Sequence, residues 1–578
     1  QKRLLFNETH TASANRLYRL DEEKQLRFQL GYIHDRTTRQ YGSEEIYYFA
    51  QDTVHTATNR HDRLKTDCLN AEVNYEDNTV SRYTRENFSF AGTWKSGVSD
   101  ITGDNAIFQK IKNSQWELKN YFNQLYTKEK YTWGIRSYIR YTHCSASLTV
   151  AHRNLPILFA DNMLIANCIY HRNELSSSDN ISENTYRTVI GQTHESILAE
   201  YEEMNTGNAY TDNALYGMRK INGVNYQLTG GFCGELSSVK QENAYSAHSY
   251  SFYTVPRIEW ERNDFLFTAA TTVRWTHLPK QSYSRFCVSP FFCFRYKFTP
   301  RWKMSLLGSL DESEGGLKDI YPFRYREDYR TVVKHTGKVP VTVRQLYTCY
   351  LEYKNTIKEF FWTLSASYSH NRYNLITERN YKDGNFYLSS VERNHSSHSY
   401  ILNTIGSKGI YDWNLKTSLE LTLARNEGKQ LNEGIVQDYR YDYLCVEPKI
   451  VWAPSVFFEA EYKATVSCVG GGIGEDTSLD PLWEVAQRLT LSLEFHDTEF
   501  RLSGEHFYND LSKNQHLNIW LADVSLIHKA GKWRFAASAI NLFNKEQYRY
   551  TLYSAVQSYT SWIKLRPREF MVSVQYQW

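Results

Sequence analysis

No stretch of this chain approaches the roughly 18 consecutive apolar residues that a membrane-crossing helix needs, and mean hydropathy is negative. Crossing a membrane on helices is therefore excluded. Proline is scarce, at 11 of 578 residues, and methionine scarcer, at 5. Because proline lacks the N–H that a strand ladder uses, its rarity leaves long ladders unobstructed. Neither sign of charge dominates: lysine plus arginine number 67 against 64 aspartate plus glutamate, interspersed and summing to +3. That balance argues against a nucleic-acid partner, which would call for a basic patch or stripe. The nine cysteines, at 68, 144, 168, 233, 287, 293, 349, 445 and 468, include no C-x-x-C and no paired zinc spacing. They read as small apolar packing groups, with room for one loop disulfide. The opening Gln1-Lys2-Arg3-Leu4-Leu5 lacks the build of a signal peptide, so either one has been removed or the sequence starts inside a longer precursor.

What the chain has in quantity is aromatic residues, 15% of it, with 45 Tyr, 29 Phe and 14 Trp, a bias that suits pleated strands. Strict alternation of apolar and polar residues recurs from end to end. Val456, Phe458, Ala460, Tyr462, Ala464, Val466 and Cys468 alternate with Glu459, Glu461, Lys463, Thr465 and Ser467. Leu489, Leu491, Leu493 and Phe495 lead through a short turn at His496-Asp497-Thr498 to Phe500, Leu502 and Gly504. The same pattern holds at Trp413 to Leu423, Phe360 to Tyr368, Trp133 to Ile139 and Leu26 to Tyr32. These runs exceed the usual soluble strand of about 5 to 6 residues.

Short polar turns, as at Asp21 to Lys24, Thr127 to Lys130 and Arg262 to Asp264, alternate with long irregular stretches near 36–60, 153–190, 311–345, 370–398, 425–440 and 469–485. Short turns on one rim and long loops on the other are the pattern of an outer-membrane barrel. Charges in mid-strand, such as Glu459, Lys463 and Arg501, suit a hydrated lumen, which leaves the apolar faces to lipid. Trp133, Tyr141, Trp260, Trp302, Trp413 and Trp533 fit interfacial girdles. The fold expected is all-β: a transmembrane antiparallel β-barrel filling residues 1–578. At roughly 26 residues per strand with its share of loop, it has about 22 strands, short periplasmic turns and long extracellular loops. It belongs in the outer membrane of a Gram-negative bacterium, with the lipids of that membrane as its first partners.

The chain ends on Phe570, Val572, Val574, Tyr576 and Trp578, alternating with Met571, Ser573, Gln575 and Gln577. This resembles the terminal aromatic strand that the barrel-assembly machinery reads as an insertion signal; the bland alternative is a buried last strand of any sheet. Before it stand Asn541-Leu542-Phe543-Asn544 and Arg566-Pro567-Arg568. Together these are similar to the C-terminus of TonB-dependent receptors. Tyr32-Ile33-His34-Asp35-Arg36, Ile46-Tyr47-Tyr48 and Asp328-Tyr329-Arg330-Thr331-Val332 resemble, more narrowly, Bacteroidota receptors that carry an N-terminal carboxypeptidase-regulatory-like domain. The resemblance implies nutrient uptake, with TonB as partner where an upstream plug and TonB box exist. No plug domain is visible within this chain, and a wide barrel needs a seal: an N-terminal segment, a separate plug chain, folded-in loops or a capping partner. The rival reading is a transport-inactive barrel serving as a structural or assembly subunit, with surface lipoproteins or the barrel-assembly machinery as partners. A passive porin is a third, disfavoured by the typical 16 to 18 strands of porins.

Chemistry-bearing motifs are sparse. Gly470-Gly471-Gly472-Ile473-Gly474 lacks the Gly-Lys-Ser/Thr ending of a phosphate loop and reads as a flexible extracellular loop. Asp311, Glu312 and Glu314 do not match an EF-hand; a solvated cluster is the simpler reading than a calcium site. His395 and His398 form an H-x-x-H in a loop, without the helical carboxylate of a metalloprotease. There is no G-x-S-x-G, so no catalytic residue, metal ligand or cofactor is assigned and the chain is not expected to be an enzyme. The residues do not name a substrate.

Overall fold

A computed structural model describes residues 6–48, 53–103, 107–129, 131–152, 185–187, 196–241, 243–327, 330–382, 385–474, 477–512, 515–553 and 557–576. Nearly all of it is one sheet of 28 strands, consecutive long strands pairing antiparallel from Phe6–Arg19 to Glu569–Tyr576. The ring closes where Gln557–Lys564 pairs with Tyr41–Tyr47 of the strand Lys24–Tyr48. This is the transmembrane barrel fold anticipated.

The register explains why alternation produces a wall with two unlike faces. Leu402, Leu423, Leu444, Cys468 and Trp483 stand opposite one another in turn across neighbouring strands, forming one row of an apolar outer belt. Because the side-chain period is two, a slip of one residue would turn every such row inside out. Belt residues stay open to the surroundings: Leu215 is 63% exposed, Phe286 64% and Leu228 59%. A water-soluble surface rarely carries apolar patches of this extent; hydrocarbon is the environment that suits them. On the inner face charges pair across strands, as in Arg136 with Asp212 at 3.3 Å and Lys449 with Glu461 at 3.4 Å.

At one rim the strands turn tightly. Asn263 (φ 51°), His496 (φ 52°) and the pair Asn222-Gly223 (φ 49° and 83°) adopt the left-handed backbone that two-residue hairpin turns demand. Val456 and Phe457 form the two-residue connection between Ile435–Ser455 and Phe458–Ile473, and Trp413 closes a 3-10 turn, Tyr411–Trp413. The alternating runs expected to include Val456 and Trp413 thus begin just after them.

At the other rim the expectation of long irregular loops is corrected. The stretches 36–60, 370–398, 425–440 and 469–485 are mostly strand: Lys24–Tyr48 with Thr53–Asn78, Phe360–Lys382 with Asn385–Ile410, and Leu415–Asn432 with Ile435–Ser455 continue as hairpins beyond the belt. Polar strand extensions give no apolar contrast, so their pairing is invisible to a hydrophobicity pattern. The stretch 311–345 does keep irregular segments, whereas 153–190 lies outside the described residues except for Thr185–Arg187. Three short strands, Thr185–Arg187, Tyr325–Arg326 and Thr331–Lys334, belong to connections, and four others are halves of two interrupted staves, which leaves 23 staves against the expected 22. Phe6–Arg19 is the additional one.

Candidate functional site

Among the described residues, two places hold built, non-repetitive structure: the corner near the C-terminus and the mouth at the long-hairpin rim. At the corner the stave Trp533–Ile540 breaks before resuming as Gln547–Tyr553, and its neighbour Gln557–Lys564 breaks before resuming as Glu569–Tyr576. The breaks are the two motifs read from sequence. Asn541 (φ 55°) and Asn544 (φ 50°) take the left-handed backbone, which asparagine tolerates. Asn541 is 1% exposed. Its Nδ2 donates to the carbonyls of Lys545 (2.9 Å) and Arg566 (2.7 Å), and its Oδ1 accepts from the Lys545 N–H at 3.0 Å. Asn544 Oδ1 accepts the Arg568 N–H at 2.9 Å. Each asparagine therefore reaches from one break to the other. Pro567 sits where no ladder donor is required, Leu542 donates its N–H to Ala522, and Phe543 is exposed.

The corner lets the upper hairpin leave the line of the wall. Gln547–Tyr553 packs inside Thr498–Ser512 and Gln515–Ala530 through a cluster of Ile519, Leu521 and Leu565, each 3–4% exposed, with Phe507, Leu517 and Tyr548 around it. Gln557–Lys564 then reaches Tyr41–Tyr47, where Ser561 Oγ donates to the Gly42 carbonyl at 3.0 Å. Trp562 lies so close to Gly42 that a Cβ there would come within 2.1 Å of its ring nitrogen. Below the corner, Phe570, Val572, Val574 and Tyr576 point outward opposite Ala539, Ala537, Phe535 and Trp533; Trp578 lies outside the described residues.

The mouth is covered by a cap. A bulge between Tyr373 and Leu375 turns the tip of the hairpin Phe360–Lys382/Asn385–Ile410 inward. There Phe386–Ser389 takes Thr331–Lys334 as a parallel neighbour, while Glu378 and Arg379 pair in parallel with Leu431 and Asn432. The tip crosses to the far side: the rings of Phe386 and Tyr47 stand 4.2 Å apart, and Arg379 lies over Tyr47 at 5.8 Å. Glu45, beside Tyr47, accepts hydrogen bonds from the Tyr47 hydroxyl and from Ser43 Oγ (3.2 Å). It also faces the Arg330 guanidinium at 3.8 Å, both side chains being only 11–12% exposed. Arg326 donates its backbone N–H to Glu202 (2.9 Å) and its guanidinium to Asn385 (3.2 Å). Ile320 and Val339, buried against Leu278, and Tyr321, against Tyr245 and Ala247, anchor the connection to the wall.

Several expectations change with this geometry. Of the narrower receptor-like text, Tyr47 and Arg330 to Val332 meet in the cap, Tyr32 to Arg36 lie within the strand Lys24–Tyr48, and Asp328 and Tyr329 lie outside the described residues. Nothing in the spacing could reveal that meeting, since it joins distant segments. Glu312 and Glu314 are not a solvated cluster: they pair with Arg285 and with Arg274 (2.6 Å). His395 and His398 lie in a strand, His395 stacked on Tyr373 at 4.8 Å and His398 on His370 at 4.5 Å. The glycine run is strand and bulge rather than loop, because at Gly471 (φ 157°) a Cβ would meet the Arg440 carbonyl at 2.0 Å. The eight described cysteines are free thiols, and Cys168 lies outside the described residues.

No family model matches the chain, and no curated protein matches it. Among solved structures, it is similar to the outer membrane transporter YddB from Escherichia coli at 10% identity, over 98% of this chain and 76% of that one, with a TM-score of 0.49. The ferric enterobactin receptor PfeA from Pseudomonas aeruginosa gives 10% identity over 97% and 80%, with a TM-score of 0.44. The copper transporter OprC gives 8% over 92% and 80%, with a TM-score of 0.41. At such identity and superposition these likenesses say nothing of what this chain binds.

Proposed function

We propose that the chain is the membrane barrel of a receptor-like transporter in the outer membrane of a Gram-negative bacterium, taking up a nutrient through its lumen. The carrying observation is the wall itself: long antiparallel strands in a register that keeps apolar side chains outward and paired charges inward. Such a wall is stable between lipid outside and water inside. The capped mouth gives the passage a closed state. Energy coupling through TonB applies where a plug and TonB box accompany the barrel.

The cap also favours a second reading, a non-transporting barrel that scaffolds surface lipoproteins or assists barrel assembly, because the Tyr47–Phe386 contact joins the cap to the strand Lys24–Tyr48 across the mouth. Deleting the gene and restoring it separates the two. Transport predicts an outer-membrane protein with heat-modifiable gel migration and a restorable loss of uptake of some nutrient class. Unchanged uptake together with depleted outer-membrane proteins or surface lipoproteins would replace transport with the scaffold reading.

A further inference from the structure

The edge of the strand Lys24–Tyr48 is shared between two segments. Its upper part pairs with Gln557–Lys564 in a register running from Tyr41↔Ile563 to Tyr47↔Gln557, and its lower part pairs with Phe6–Arg19, from Thr38↔Phe6 to Gln25↔Arg19. Both partners are antiparallel to it, so they lie end to end in one slot. Continued downward in the same register, the upper ladder brings Phe570, Val572, Val574 and Tyr576 opposite His34, Tyr32, Leu30 and Phe28. Those are the residues that His10, Ala12, Ala14 and Arg16 face in the structure. The alternation agrees as well, apolar side chain opposite outward side chain at each position.

Chemistry favours the claimant that is not in the slot. Glu8, His10 and Arg16 share the outward face of Phe28, Leu30 and Tyr32; Glu8 and His10 stand opposite Arg36 and His34, whereas Arg16 stands opposite Phe28, where a charged side chain meeting lipid is destabilising. Phe570 and Val572 are 76% and 81% exposed. Their strand has a ladder on one side only, to Trp533–Ile540, among the described residues, and unpaired backbone groups at membrane depth find no partner in hydrocarbon. Arg566, donating to Asn7 at 2.9 Å, marks the fork where the two segments part.

We propose that the edge Gln25–Thr38 is a strand-exchange site within this chain. Phe6–Arg19 is its displaceable occupant and Glu569–Tyr576 the alternative one. Entry of Glu569–Tyr576 extends the ladder set above the fork, closes the wall in the membrane and frees Phe6–Arg19. The inference rests on the membrane reading, since lipid is what penalises the present occupant. It is tested with the full chain in native outer membranes, as Gly31→Cys/Ser13→Cys and Gly31→Cys/Ser573→Cys. Ser13 faces Gly31 in the structure, Ser573 faces it after exchange, and a Cβ at Gly31 meets nothing within 4 Å. After mild oxidation, mass spectrometry of cross-linked peptides separates these links from any made by native thiols. The exchange predicts that the 31–573 link forms; its absence, whether the 31–13 link forms or position 31 joins another chain, overturns the proposal. Membrane fractionation of the same variants keeps the two readings apart: protein outside the membrane fails the membrane reading, and membrane-inserted protein lacking the 31–573 link fails the exchange.

Discussion

Single residues decide how the ring closes. Asn541 combines a left-handed backbone with side-chain bonds to both breaks, so Asn541→Ala removes those bonds, strands two carbonyls and strains the turn. The expected loss is about 2–4 kcal/mol, read as a lower melting temperature of the heat-modifiable band. Asn541→Gly keeps the backbone but not the bonds, and should lose less. At Gly42 the obstacle is steric. Gly42→Ala drives a methyl group into Trp562, with an expected cost of about 1–3 kcal/mol, and a smaller ring in the double variant Gly42→Ala/Trp562→Phe should recover part of it in the same assay.

At the scale of elements, the cap depends on a few contacts between segments far apart in sequence. Glu45→Gln removes the buried carboxylate that faces Arg330 at 3.8 Å, a change worth on the order of 3 kcal/mol. Limited proteolysis of intact cells should then cut near Arg326 and Arg330 faster than in the wild type, with the belt strands still protected. The belt strands were legible in the sequence, because Leu489, Leu491 and Leu493 alternate against Thr490, Ser492 and Glu494 and that contrast fixes the face. Their extensions were not, since residues such as Thr377 to Asn380 are polar on both faces. The motif Asn541 to Asn544 was recognised, yet its work of tying two breaks together depends on the carbonyl of Arg566, which only the folded chain brings near. The cap was illegible for the same reason: long-range pairing, not local pattern, creates it.

For the whole molecule, everything turns on which face meets lipid. Leu491→Arg places a charge on the outer belt and should cost about 2–4 kcal/mol in urea unfolding from liposomes, whereas Ser492→Arg, on the lumen side, should change stability little. A more direct measurement needs no substitution. The native protein in its membrane is labelled with a lipid-soluble and, separately, a water-soluble photoreactive carbene probe, and modified residues are located by mass spectrometry along Thr477–Phe495 and Thr498–Ser512. A barrel wall between lipid and a hydrated lumen gives lipid-probe labelling at Leu489, Leu491, Leu493, Phe500 and Leu502, and water-probe labelling at Thr490, Ser492, Arg501 and Ser503. Labelling without this alternation, or with the two probes exchanged, would contradict it.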